Sequence, residues 1–141
     1  MQIDHVATRD VRWLRAIAPI ATVAGAGGSL ALMLYAGRHN ASRLLLVIFT
    51  IWVLAPFVAA ALANSISTRW SPPVRATLRA VMLVMALGSL VVYAHDALRP
   101  RTAQAAFVYV IVPLASWIML VTVVPLVALV SRRRTPRHTA A

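Results

Sequence analysis

The sequence predicts an all-α fold: an integral membrane four-helix antiparallel bundle with both termini cytoplasmic. Three observations predict it. Of 141 residues, 61% are hydrophobic and 12% are charged, where soluble domains run to roughly 45–50% apolar and about 25% charged. The uncharged stretches run over residues 16 to 37, 44 to 68, 80 to 94 and 102 to 131, each bounded by arginine or by Asp96. All 14 lysine-plus-arginine positions are arginine, facing only three acids, Asp4, Asp10 and Asp96, and the chain has no lysine, glutamate or cysteine. This inventory excludes a water-soluble single domain, a disulfide scaffold, thiolate chemistry and any mechanism that needs a pair of glutamates.

Residues 1–15 are read as a cytoplasmic basic segment carrying Arg9, Arg12 and Arg15. A bilayer core of about 30 Å needs about 20 helical residues at about 1.5 Å each. The first transmembrane helix is expected over 16–37, closed by Gly37 before a tight turn at Arg38, His39 and Asn40. Ala24-Gly25-Ala26 resembles a signal cleavage site, but the uncharged run continues to Gly37. That is longer than a signal h-region, so the span is expected to be retained.

The second helix is expected over 43–65. Asn40-Ala41-Ser42 before it matches the glycosylation sequon, in a turn pressed against the membrane where modification is not expected. Ser71 ahead of Pro72 and Pro73 reads as an N-cap followed by proline in the first turn. It introduces a third helix over 75–96, whose uncharged core is the shortest. That helix spans if Arg79 snorkels to the head groups or if His95 and Asp96 sit at the opposite interface. Thr102 is the expected cap of a fourth helix over 105–130, and 131–141 is a cytoplasmic basic tail, polar and interrupted by Pro136.

Positive flanks are retained on the cytoplasmic side. Ten arginines fall in the N-terminal segment, the second loop (Arg69, Arg75, Arg79) and the tail (Arg132, Arg133, Arg134, Arg137). Four fall in the first loop (Arg38, Arg43) and the third (Arg99, Arg101). With an even number of spans, both termini face inward across a bacterial-type inner (plasma) membrane. Trp13 and Trp70 then mark the inner interface, and Tyr35, Tyr93 and Tyr109 the outer one.

Ala21, Gly25, Gly28 and Ser29 share one face of the first span, widened by Gly27. Such a stripe lets another backbone approach closely, and packing within the chain is expected ahead of a dimer contact. Pro56, Pro113 and Pro125 free the carbonyls of Trp52, Tyr109 and Val121. Freed carbonyls line sites in broken transport helices, but with no charge at that depth they are read here as kinks. The mid-span hydroxyls of Thr22, Thr50, Ser89, Ser116 and Thr122 are expected to bond back to their own helices. No carboxylate lies mid-span, which removes carboxylate-driven transport.

His39, His95, Asp96 and Arg99 form an expected polar cluster at the outer interface. Histidine beside a carboxylate shuttles protons or binds metal, and two histidines from separate helices ligate haem. Adjacent helical residues diverge by about 100°, however, and Asp96 to Arg99 is ordinary i to i+3 ion-pair spacing. An ion pair with a solvated histidine is therefore expected. No catalytic, cofactor-binding or metal residue is assigned, and no nucleophile with a base can be assembled, so no enzyme is expected.

Nucleic-acid binding needs a continuous basic face, whereas these arginines are spread over helix ends. The expected partner is anionic lipid, whose phosphates suit guanidinium groups. Arg12, Arg15, Arg75, Arg79, Arg132, Arg133 and Arg134 are the expected contacts, lipid phosphate relieving the like-charge pair of Arg75 and Arg79. The function expected is that of a non-catalytic multi-pass membrane protein, an accessory subunit packed on a membrane partner or a homo-oligomer. The alternative is an oligomeric channel or passive transporter lined by the kinked second and fourth helices. Behind it stand a haem- or metal-bearing electron-transfer subunit using His39 and His95, and a holin-like permeabilising protein.

Overall fold

A computed structural model describes residues 3–39, 41–99 and 106–134, with side chains at 13, 15–39, 41–99 and 107–133. The chain is all-helical: α1 (Ile3–Gly37), α2 (Arg43–Ile66), a 3-10 turn at Ser67–Arg69, α3 (Pro72–Leu98) and α4 (Ala106–Arg134), with no strand among the described residues. Four helical segments are long and apolar enough to cross a membrane: Arg15–Gly37, Arg43–Arg69, Pro72–Leu98 and Phe107–Arg133. Within a bilayer, the helix is the form in which one segment satisfies its own backbone polar groups.

The helices overrun their charge-bounded cores. α1 begins at Ile3 and passes through Pro19, so the basic segment before residue 16 continues the helix; arginine is a good helix former. α3 starts at Pro72 and ends at Leu98, and α4 continues through Arg134, into the segment read as a tail. Residues 135–141, Thr102 and the sequon's Asn40 lie outside the described residues.

Local chemistry fixes the ends. The Ser42 Oγ accepts from the Leu45 N–H at 3.3 Å, capping α2. At its other end the Ser67 hydroxyl donates to the Asn64 carbonyl at 2.7 Å, and the Trp70 N–H donates to the Ser67 carbonyl at 2.9 Å. Ser71 takes the extended N-cap conformation ahead of the two prolines, but its hydroxyl makes no capping bond. Its carbonyl accepts from the Arg75 N–H at 3.1 Å instead. Gly37 is the last residue of α1 without adopting a left-handed conformation. No described glycine has a positive φ, and a Cβ at Gly37 would stand 2.7 Å from Leu46 Cδ2.

α3 is the most enclosed helix, with 44% of its window buried against 28%, 22% and 17% for α1, α2 and α4. Its most extensive partner is α1. One core cluster gathers Val74, Leu78, Met82 and Met85 of α3 with Ala18, Ala60 and Val124. The other gathers Met33, Val53, Tyr93 and Tyr109. The rings of Tyr93 and Tyr109 stack with centroids 4.9 Å apart, within the favourable range for aromatic pairs. Both are buried, so their rings pack between α3 and α4 and are not turned outward. Tyr35 and Trp13 are exposed.

Candidate functional site

The small-residue face of α1 is occupied from within the chain. A Cβ on Gly25 would lie 2.7 Å from Ala86 Cβ, 2.8 Å from Ala86 Cα and 3.3 Å from Phe57 Cε1. Gly28 faces the Leu90 side chain, whereas Gly27 meets nothing within 4 Å. Ser29 is fully buried and Ala21 half-buried. Ala18 and Thr22 are buried too and were missed. The alternating 4–3–4 spacing of residues 18, 22, 25 and 29 is the signal that would have found them.

At the opposite end of α1 and the start of α3, arginines converge. Arg79 is only 8% exposed, its Nε has no hydrogen-bond partner, and Arg15 and Arg75 lie within electrostatic reach. Packing against neighbouring helices encloses its stem, as the snorkelling of a long basic side chain requires. Arg15, Arg132 and Arg133 are exposed and Arg75 is half-buried. The side chains of Arg12 and Arg134 lie outside the described residues.

A cavity of about 480 Å³ opens between the 3-10 turn, the first turn of α3 and the C-terminal part of α4, in the size class of ligand pockets, about 300–1,000 Å³. Arg69 and Arg132 flank it, both exposed, while Val74 and Val124 form a buried floor. Arg69 was not among the expected phosphate contacts. Its sequence position at a helix end marks topology, and only the fold reveals that it faces a pocket shared with α4.

Among the described residues, no hydrogen bond or ion pair joins the members of the expected polar cluster, His39, His95, Asp96 and Arg99. The Arg38 Nε donates to His39 Nε2 at 3.1 Å, and the guanidinium stands 4.2 Å over the Tyr35 ring. That bond occupies the lone pair His39 would offer a metal from this nitrogen. The expected pair of Asp96 and Arg99 is not formed among the described residues, because α3 stops at Leu98 and Arg99 is extended, with φ −82° and ψ 150°. The signal was in the sequence: Pro100 disfavours the helical conformation for the residue before it. His95 is exposed and Asp96 half-buried. No group of three or more metal-ligating side chains occurs among the described residues.

The interior hydroxyls behave as their chemistry dictates. Thr22 donates to the Ala18 carbonyl at 2.8 Å, Thr50 to Leu46 at 2.8 Å, Ser116 to Val112 at 2.9 Å and Thr122 to Ile118 at 2.6 Å. The buried hydroxyls of Ser29 and Tyr93 have no hydrogen-bond partner among the described residues. Pro56 and Pro113 are fully buried, and Pro125 is exposed beside the cavity. No protein-family model, no curated protein and no solved structure matches the chain.

Proposed function

We propose that the chain is a non-catalytic membrane protein that acts by helix packing, as an accessory subunit or as a self-assembled unit. The observation that carries this reading is the distribution of burial. α2 and α4 give only 22% and 17% of their membrane windows to the interior, leaving apolar faces for lipid or for another helix. Within the spans, Thr22, Thr50, Ser116 and Thr122 spend their hydrogen bonds on their own backbones.

The same reading takes the fold as an antiparallel bundle. Contacts run in opposite directions on α1 and α2, from Gly25 with Phe57 to Gly37 with Leu46. They rise together on α1 and α3, from Gly25 with Ala86 to Gly28 with Leu90. On α3 and α4, Val74 shares a cluster with Val124 and Tyr93 with Tyr109, again in opposite directions. An up-down-up-down path of this kind sets both termini on one side. The ten-to-four arginine bias makes that side the cytoplasm of a bacterial-type inner membrane.

Purification in mild detergent is expected to bring down a stoichiometric partner or to give one defined oligomer by light scattering. A monodisperse lone monomer would refute the proposal. The chain has no cysteine, so Ala41→Cys and Thr68→Cys, both at exposed positions, report topology cleanly. A membrane-impermeant maleimide is expected to label the first in intact cells and the second only after permeabilisation. Burial of Pro56 and Pro113 inside the chain's own bundle favours kinks over a pore shared between copies, and liposomes holding the pure protein are expected to show no solute flux.

A further inference from the structure

We propose that the cavity between the Ser67–Arg69 turn, the first turn of α3 and the C-terminal part of α4 holds one anionic phospholipid. Its phosphate sits between Arg69 and Arg132, and an acyl chain lies against Val74, Val124 and Ala128. The proposal rests on the reading that these helices are embedded in a bilayer with their arginine ends at the interface.

The cavity is amphipathic in the sense that a phospholipid is. Two exposed arginines line it together with apolar side chains, two of them buried valines, in a volume of about 480 Å³. No lining residue is acidic, so nothing within the cavity neutralises Arg69 and Arg132. Guanidinium groups bind phosphate oxygens through paired, charge-assisted N–H donors. Trp70 lines the same cavity, and tryptophan favours the depth at which head groups meet acyl chains. Ser71 adds a hydroxyl not used to cap α3.

Charge selects lipid over the chain's own C-terminal residues. Residues 135–141 carry Arg137 and no acidic side chain, so they would bring further positive charge to a basic site. A neutral apolar helix from another protein would leave both arginines uncompensated, and inorganic phosphate would leave the apolar floor unfilled. One molecule with a phosphate head and a hydrocarbon tail satisfies both halves.

The test is native mass spectrometry of the full-length chain in micelles holding equimolar phosphatidylglycerol and phosphatidylcholine. One phosphatidylglycerol per chain is expected to be retained in preference. Arg69→Gln with Arg132→Gln is expected to weaken that retention roughly 30-fold, two surface arginines' worth of attraction to anionic lipid. Arg38→Gln with Arg43→Gln removes the same charge elsewhere and is expected to leave it unchanged. Ala128→Phe fills the cavity with both arginines intact and is expected to expel the lipid, with circular dichroism confirming the helix content of each variant.

Equal retention of phosphatidylcholine, equal loss in the two arginine pairs, or full retention in Ala128→Phe each overturn the proposal. Displacement of the lipid by millimolar glycerol 3-phosphate also overturns it, since the head group alone would then account for binding. If alkaline carbonate washes the protein from membranes, the embedding fails and the lipid site with it. If the protein stays embedded without preferring the anionic lipid, only the site fails.

Discussion

Replacing Gly25 by alanine places one methyl group 2.7 Å from Ala86 Cβ, 2.8 Å from Ala86 Cα and 3.3 Å from Phe57 Cε1. Carbon atoms pack at about 3.5–4.0 Å, so α1 and α3 must separate by roughly 1 Å. The obstructing Cα belongs to the backbone of the most enclosed helix and cannot rotate aside. Overpacking of this kind costs about 1–3 kcal/mol. The exchange of glycine for alanine in a helix returns about 1 kcal/mol, which would blur the result if Gly25→Ala were measured alone. Gly27→Ala provides the correction, because a Cβ there meets nothing within 4 Å and collects the helix gain without the clash. The difference between the two variants isolates the packing term, about 1–3 kcal/mol against Gly25→Ala. Reversible unfolding in mixed micelles, followed by tryptophan fluorescence and circular dichroism, measures it. Adding Ala86→Gly to Gly25→Ala removes the Cβ contact but leaves the Cα one, so part of the loss is expected to return. Equal shifts for Gly25→Ala and Gly27→Ala would refute the close approach of α1 to α3.

Tyr93 is fully buried with no hydrogen-bond partner for its hydroxyl among the described residues, so Tyr93→Phe is expected to raise stability by about 1 kcal/mol. Tyr93→Ala is expected to cost about 3–5 kcal/mol; a lower thermal midpoint for Tyr93→Phe would show that the hydroxyl is bonded. Arg79→Met keeps the buried stem and removes a charge that faces Arg15 and Arg75, so a gain of about 1–3 kcal/mol in micelle unfolding is expected. A loss of about 3–5 kcal/mol would instead reveal a buried ion pair. Ser42→Ala removes the side-chain cap of α2 and is expected to cost about 1 kcal/mol. Ser71→Ala, whose hydroxyl makes no capping bond, is expected to leave thermal unfolding unchanged.

The four helical spans were legible because a bilayer imposes a one-dimensional constraint: charge marks where apolar helix ends, and each span carries arginine or Asp96 at its edges. The continuation of α1 back to Ile3 was hidden by the same rule, since charge limits membrane crossing and does not stop a helix. The tight approach at Gly25 was legible from its small neighbours. Which helix fills the groove depends on contacts sixty residues apart in sequence, so Ala86 was not legible. Tyrosine favours the interface on its own, and the stacking of Tyr93 on Tyr109 is a long-range pairing that no local pattern shows. For Arg79, proximity to a helix end suggested access to head groups, and the enclosure of its stem follows from the helices packed around it. The cavity beside Arg69 and Arg132 joins parts of the chain that no local pattern links.

With 14 arginines and three aspartates, the chain cannot neutralise its basic end by itself. Arg15, Arg75 and Arg79 stand near one another, and Arg69 and Arg132 flank one cavity, while Asp96 lies toward the far end of α3. On the proposed reading, counter-charge comes from the surroundings, where a bilayer's anionic head groups present it at that depth. Arginine then has, on that reading, two separable duties, setting orientation by number and holding lipid by position. Arg69→Gln with Arg132→Gln removes two of the ten arginines on the proposed inner side and leaves a clear majority over the four outside. Orientation, read by maleimide labelling at an added Thr68→Cys, is expected to be unchanged while retention of phosphatidylglycerol falls. Inversion or mixed topology in that variant would show that the two residues act through charge count, and the division of labour would collapse.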